Sequence, residues 1–202
     1  MPNVIETTVY QFNELNDRAK EKARDWFRNA SAGDSFFSES TIEDAKEIGK
    51  ILGIDIDNVY FSGFCSQGDG ACFTGSYEYR KGWKKALKAY VGGDSLPKLL
   101  AIGETLQKAQ AKNFYELTAS ATHRGRYSHS GCMAVDVERD SNNYQGMTDD
   151  AESDVTDELR CFADWIYSQL ETEYEWINSD EVVDESIIAN EYTFEIDGSR
   201  FG

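Results

Sequence analysis

The chain contains very little proline, the residue that interrupts helices and strands. Its 202 residues include only two prolines, Pro2 and Pro97, and no proline- or serine-rich linker. Without a linker there is no candidate domain boundary, so we expect residues 1–202 to form a single domain. The apolar fraction of 40% is enough for one hydrophobic core, which excludes a globally disordered chain.

Long hydrophobic runs and a basic leader are also missing. No run of 18 apolar residues occurs, so we expect no membrane contact. The start, Met1–Tyr10, has neither the basic nor the apolar part of a secretory signal, which predicts a cytoplasmic location. The four cysteines, Cys65, Cys72, Cys132 and Cys161, are therefore expected to be reduced thiols.

Basic residues are nearly absent from the last third of the chain. Residues 136–202 hold 20 acidic residues and three arginines, a net charge of −17, whereas the first 135 residues balance at 17 of each sign. Within 149–185, 14 acidic residues face Arg160 alone. A fully helical segment of this length would carry about one charge per 4 Å, close to the 3.4 Å spacing of a nucleic-acid strand.

The residue patterns predict an α+β fold, with helices packed on an antiparallel or mixed sheet of about five to six strands and a long acidic C-terminal helix. Strands are predicted from β-branched and aromatic runs, and helices from apolar spacings of three and four. The predicted strands are 4–12, 54–64, 71–80, 114–122, 132–139 and 192–196, and the predicted helices are 14–29, 41–53, 82–91, 96–112, the acidic helix and 180–190. Asn13 is the expected first N-cap, and 31–40 is an expected loop.

An apolar stripe predicts that the acidic helix docks on the core. The stripe consists of Val155, Leu159, Phe162, Ile166, Leu170, Tyr174 and Ile177. Carboxylates on the other faces within 149–190 would then form a partner-binding surface: Asp150, Asp154, Asp157, Asp164, Glu171, Glu175, Asp180 and Glu181. A basic host protein, such as a nuclease, a CRISPR effector or a toxin, is the expected partner, and direct nucleic-acid binding is not expected. The alternative is an acidic face that serves solubility alone.

Two loops are the weaker candidates for chemistry. Loop 63–73 is rich in glycine, so its backbone amides could approach an anion or a nucleotide, or it could simply close a hairpin. Loop 123–130 holds both histidines beside two arginines, which could instead be surface hydrogen-bonding groups. If the loops meet, Cys72 or Ser66 could face His123 with Asp69 as the orienting carboxylate, in a pocket that also holds Gln67. No cofactor and no metal site is predicted, because the cysteine and aspartate spacings match neither zinc nor calcium motifs.

A basic cluster precedes the middle of the chain. It consists of Arg80, Lys81, Lys84, Lys85 and Lys88. The net charge of −17 opposes binding to DNA, so we expect this cluster to pair with the acidic surface, either within the chain or across a homodimer.

Several motifs together resemble a protein family. They are Tyr10–Leu15, Ala19–Trp26, Tyr60–Phe73, His123–Tyr127 and Ala189–Phe194, and the resemblance spans nearly the whole chain. The family is found in bacteriophages and prophages, and its members are often labelled as antitoxins of a toxin–antitoxin stability system. The resemblance implies a mobile-element origin and a role in the host cytoplasm. Small acidic phage proteins frequently inhibit host defences such as CRISPR or restriction systems, so we expect an inhibitor of this kind, with an antitoxin as the alternative. It supplies no catalytic residues.

Overall fold

The computed structural model describes residues 6–32, 36–141 and 145–202. By its contacts the chain divides into two compact units. The terminal unit comprises Met1–Phe37 and Thr172–Gly202, and the central unit comprises Ser38–Glu171.

The central unit is built on a four-stranded antiparallel sheet in the order β2-β3-β4-β5. Its strands are β2 (Ile54–Phe61), β3 (Ala71–Glu78), β4 (Leu117–His123) and β5 (Met133–Arg139). In β4 the buried Leu117, Ala119 and Ala121 alternate with exposed hydroxyl residues. This alternation gives the sheet one apolar face and one polar face.

Four helices flank these strands in sequence: α2 (Phe36–Leu52), α3 (Trp83–Tyr90), α4 (Ser95–Lys112) and α5 (Ala151–Ile177). The unit boundaries fall inside α2 and α5. At the end of α2, Gly53 has φ 88°, a conformation that glycine adopts without steric cost, and the chain turns directly into β2. Within the described ranges, no helix is both long and apolar enough to cross a membrane.

The core of the central unit lies between the apolar sheet face and its helices. Phe73 of β3 meets Phe162 of α5 edge to face, with ring centroids 6.1 Å apart, and Phe162 stacks on Trp165 at 5.4 Å. Each buried side chain of this size contributes about 1.5–3 kcal/mol on removal from water. The fully buried large side chains here are Ile54, Phe73, Leu87, Leu99, Leu106, Leu117, Met133, Leu159, Phe162, Ile166 and Leu170.

The terminal unit has a separate core built from both ends of the chain. The strands β1 (Tyr10–Gln11) and β6 (Thr193–Phe194) pair antiparallel, and α1 (Asp17–Ser31) and α6 (Asp180–Ala189) complete the unit. Phe12, Leu15, Ala19, Val183, Ile187 and Phe194 are buried together. The ring of Trp26 packs edge to face against Tyr192 at 5.1 Å and against Phe194 at 5.8 Å.

The α+β class is confirmed, and so is an antiparallel arrangement of six strands among the described residues, although these are divided into sheets of four and two. Three local predictions were wrong. Residues 6–9 of the predicted first strand are not in a strand, because only the two residues of β6 pair with this part of the chain. Residues 4–5 of that predicted strand lie outside the described residues. The cap of α1 is Asn16 rather than Asn13, and Phe36–Ser40 belong to α2 rather than to a loop.

The turn from α4 into β4 depends on two buried amides. Gln110 is fully buried, and its side chain donates to the carbonyl of Leu117 at 2.7 Å and accepts from the amide of Leu117 at 3.1 Å. The side chain of Asn113, also buried, donates to the carbonyl of Ala109 and accepts from the backbone amide of Thr148. These bonds hold Phe114 and Tyr115 at φ 58° and 63°, which costs roughly 1–2 kcal/mol per residue with a Cβ.

Replacing Gln110 tests this account. The substitution Gln110→Leu should lower the free energy of unfolding by about 2–3 kcal/mol, because it strands a buried N–H and a buried C=O of Leu117. Urea denaturation followed by circular dichroism measures the change. The exposed neighbour Lys108→Leu is the control and should change stability by less than about 0.5 kcal/mol. Equal stabilities of the two variants would contradict a stabilising role for the hydrogen bonds between Gln110 and Leu117.

Candidate functional site

The outer face of α5 carries a regular line of carboxylates in the central unit. Asp157, Asp164 and Glu171 are spaced seven residues apart, which is close to two helical turns. They therefore lie along one side of the helix at intervals of about 10 Å. Asp157 and Asp164 are exposed and Glu171 is partly exposed, and Asp154 lies half-buried one turn before Asp157.

The opposite side of α5 holds this face in place. Val155, Leu159, Phe162, Ile166 and Leu170 are all buried, as the apolar stripe predicts. The last two stripe residues differ, since Ile177 is only partly buried and Tyr174 is 36% exposed. The phenol of Tyr167 also donates to the carbonyl of Gly63 at 3.1 Å, so α5 is joined to the glycine loop.

Four α5 carboxylates of the central unit stand outside the ion pairs of the described residues. In the described part of the chain no ion pair joins Asp154, Asp157, Asp164 or Glu171 to a lysine or arginine. Burial raises the pKa of Glu158, and the charges of Asp157 and Asp154 add to the shift while a hydrogen bond from Thr105 opposes it.

Carboxylates of α5 also shift the pKa of a thiol on this helix. The pKa of Cys161 is raised first by burial and then by the carboxylates of Glu158 and Asp164, with Lys98 opposing. Burial is the first cause of both shifts, and neighbouring carboxylates add to it.

Two of the predicted partner-binding residues are already paired. Asp150, before the start of α5, accepts a hydrogen bond from Lys112 and also bonds Thr148, and both contacts lower the pKa of its carboxyl. In the terminal unit, Asp180 lies 2.5 Å from Arg28 and 3.4 Å from Arg24. Cations distant in sequence therefore pair with Asp150 and Asp180 inside the chain, and the role of these two carboxylates in partner binding stays a prediction.

Arg24 is the centre of a charge network in the terminal unit. Its Nε and Nη2 donate to the two carboxylate oxygens of Asp184 at 2.6 and 2.7 Å, a bidentate pair that raises the pKa of the guanidinium further. Glu175 and Glu181 of this unit have no ion pair to a described cation, so they remain available charges.

The basic cluster does not neutralise the acidic helix. Lys84 pairs with Glu104 of α4 at 2.5 Å. Arg80, Lys81, Lys85 and Lys88 are exposed, and no ion pair joins them to the described residues. Pairing with α5 inside one chain is thus absent from the described part, and pairing across a homodimer stays a prediction.

The glycine loop turns its amides inward. One carboxylate oxygen of Asp69 accepts from the backbone amides of Cys65 at 3.0 Å and Ser66 at 2.7 Å. Asp69 thus closes its own loop rather than orienting a histidine. The side chains of Ser66 and Gln67 are on exposed residues of the same loop.

The two loops meet at Gly70, where a Cβ would lie 2.7 Å from the Cβ of His129. His123 has neighbours other than the predicted thiol. The ring of His123 lies 4.8 Å from that of Tyr60, and its Nε2 is 3.0 Å from the carbonyl of Tyr127. Cys72 is only 1% exposed, and burial, with a smaller contribution from Cys132, raises its pKa to about 11.

The sequence analysis missed a second thiol–imidazole pair. His129 Nε2 lies 3.3 Å from the Sγ of Cys132. The spacing of three residues was a usable signal, but only the short 3₁₀ turn at Ser130–Cys132 brings the two groups together. No group of three side chains able to hold a metal ion occurs among the residues that the structure describes.

The fold and the site together define an acidic α+β protein with an uncompensated helix face. A family model for a domain of unknown function, DUF8835, matches residues 37–180. This match covers more than half of the chain, so the protein belongs to the DUF8835 family. No curated protein and no solved structure gives a significant match.

The buried thiol of Cys72 predicts a specific alkaline instability. Its folded-state pKa of about 11 exceeds the ordinary value of 9.0, so the neutral thiol stabilises the fold fully below pH 9. That contribution is lost as the pH rises through 11, and it amounts to roughly 2 kcal/mol. We expect the unfolding free energy to fall more steeply between pH 9 and 11 in the native protein than in Cys72→Ala. Parallel profiles of the two proteins would disprove the assignment.

Proposed function

We propose that this protein is a phage- or prophage-encoded acidic inhibitor that binds a basic, nucleic-acid-binding surface of a host defence protein. The single observation that carries the proposal is the uncompensated line of Asp157, Asp164 and Glu171 on α5. A basic groove that normally holds phosphates offers the complementary charge.

The rigidity of α5 supports charge mimicry. The buried stripe that includes Val155, Phe162 and Ile166 fixes the helix on the core, so the carboxylates need little ordering when a partner binds. A preorganised charged face raises the rate of association with an oppositely charged surface and makes that rate sensitive to salt.

The spacing of the carboxylates determines which arrangement of cations on a partner they can match. Adjacent charges on the line are about 10 Å apart, roughly three times the distance between phosphates on one strand. The face therefore matches a few separated cations on a groove wall better than a continuous phosphate track. The phage and anti-defence part of the proposal is supported by the motif resemblance, which Tyr60–Phe73 and His123–Tyr127 carry most specifically.

Charge reversal on α5 tests the proposal. The triple variant Asp157→Lys, Asp164→Lys, Glu171→Lys should lose inhibition of DNA cleavage by at least about tenfold, because it presents cations to a basic surface. The probes are purified CRISPR effector complexes and restriction endonucleases, assayed for cleavage of plasmid DNA. Inhibition by the native protein should weaken between 50 and about 300 mM salt as screening increases.

A matched control has the same net charge as the α5 triple variant. The variant Glu43→Lys, Asp44→Lys, Glu47→Lys reverses three exposed charges on α2 of the same chain and should inhibit as the native protein does. The charge-mimicry proposal would be rejected if both triple variants inhibited DNA cleavage equally. It would also be rejected if inhibition by the native protein did not change with salt concentration. If the protein binds a basic toxin and inhibits none of the nucleases, its function is that of an antitoxin rather than of a defence inhibitor.

A further inference from the structure

The loop between β4 and β5 builds a thiol–imidazole pair. The 3₁₀ turn Ser130–Cys132 follows His129, and the amide of Cys132 donates to the carbonyl of His129 at 2.8 Å. This turn brings the imidazole Nε2 to 3.3 Å from the thiol sulfur. Both residues are partly exposed.

Two glycines shape the space around the imidazole. A Cβ on Gly131 would lie 3.1 Å from both Cε1 and Nδ1 of His129, so a side chain at this position would push the ring away by a few tenths of an ångström. A Cβ on Gly70 would lie 2.7 Å from the Cβ of His129. The glycine loop that ends at Gly70 therefore packs against the histidine and holds it from the other side.

Two arginines belong to the same loop as this pair. The amide of Arg124 donates to the carbonyl of Cys132 at 3.1 Å, so Arg124 lies directly across the hairpin from the thiol. Arg124 and Arg126 are exposed, and neither has an ion pair to a described carboxylate. In a chain of net charge −17 this loop carries two cations outside the described ion pairs, and positive charge attracts an anionic ligand.

We propose that Cys132 and His129 form a nucleophilic thiol site that takes small anionic electrophiles, such as acyl thioesters with a carboxylate or phosphate group. The thiol transfers its proton to His129 Nε2, and the sulfur lone pair forms a bond to the carbonyl carbon. The C–S bond of the thioester breaks, and the leaving thiolate takes the proton back from His129. The product is Cys132 acylated on sulfur. This proposal is independent of the acidic face of α5.

The other cysteines provide internal references. Cys65 and Cys161 are exposed, and neither contacts a histidine in the described structure. Cys72 is buried and should not react while the protein is folded. One sample therefore contains the proposed nucleophile, two exposed thiols and a reporter of unfolding.

Alkylation kinetics on the intact protein test the site. The probes are iodoacetamide and iodoacetate, and the modification of each cysteine is followed by peptide mass spectrometry at pH 7. In this reaction the sulfur bonds to the CH₂ carbon, iodide leaves with its electron pair, and the thiol proton goes to His129. We expect Cys132 to react at least about tenfold faster than Cys65 and Cys161.

Three variants separate activation from simple exposure. His129→Gln should reduce the rate at Cys132 by at least about fivefold and leave Cys65 and Cys161 unchanged. Gly131→Ala should act in the same direction, because its new methyl group displaces the ring without removing it. Arg124→Gln should lower the rate with iodoacetate more than the rate with iodoacetamide, since only iodoacetate carries a charge.

Folding is monitored in every variant by the protection of Cys72. If His129→Gln exposes Cys72, Gly131→Ala decides the outcome instead. The proposal is overturned if Cys132 reacts no faster than Cys65 in the native protein, or if a folded variant at His129 or Gly131 leaves its rate unchanged. An Arg124→Gln variant that affects both probes equally would remove the preference for anions.

Discussion

The packing of α5 against the sheet is the constraint on which the rest of the central unit depends. Phe162 contacts Phe73 of β3, and a Cβ on Gly49 of α2 would lie 3.5 Å from the Phe162 ring. One apolar stripe thus joins the sheet and two helices. The same packing decides which side of α5 meets water, so the hydrophobic core determines where the carboxylates stand. The charged face is a consequence of burial on the other side.

Local signals explain how much of this fold could be predicted. Gly53 marked the end of α2, and the glycine loop marked the β2–β3 hairpin, because both features depend on neighbouring residues alone. The short pairing of β1 with β6 joins opposite ends of the sequence, and nothing near Tyr10 indicates that its partner is Phe194. The start of α2 was missed because Phe36 and Phe37 stand next to each other in a polar run, without the apolar spacing of three and four that predicts a helix.

The number of acidic residues follows from composition, whereas the positions of their charges follow from the fold. Counting charges along 149–185 predicts a density near that of a nucleic-acid strand. Helical winding then distributes those charges around the axis, and Lys112, Arg24 and Arg28 cancel part of them. What remains in the central unit is a sparse, ordered line. Sequence alone locates the acidic segment, whereas the choice of free carboxylates requires the position of cations that are 38 to 160 residues away.

The thiol site illustrates why chemistry is harder to predict than fold. The sequence analysis looked for His123 with Cys72, a pair that would have joined two loops, and placed Asp69 as its orienting group. The backbone amides of Cys65 and Ser66 bind that carboxylate instead, and the sheet buries Cys72. The contact that forms is local, between His129 and Cys132, and it needs a turn in which Gly131 leaves room for the ring. The steric fit of the His129 ring beside Gly131 therefore contributes to this contact as well as the residue spacing does.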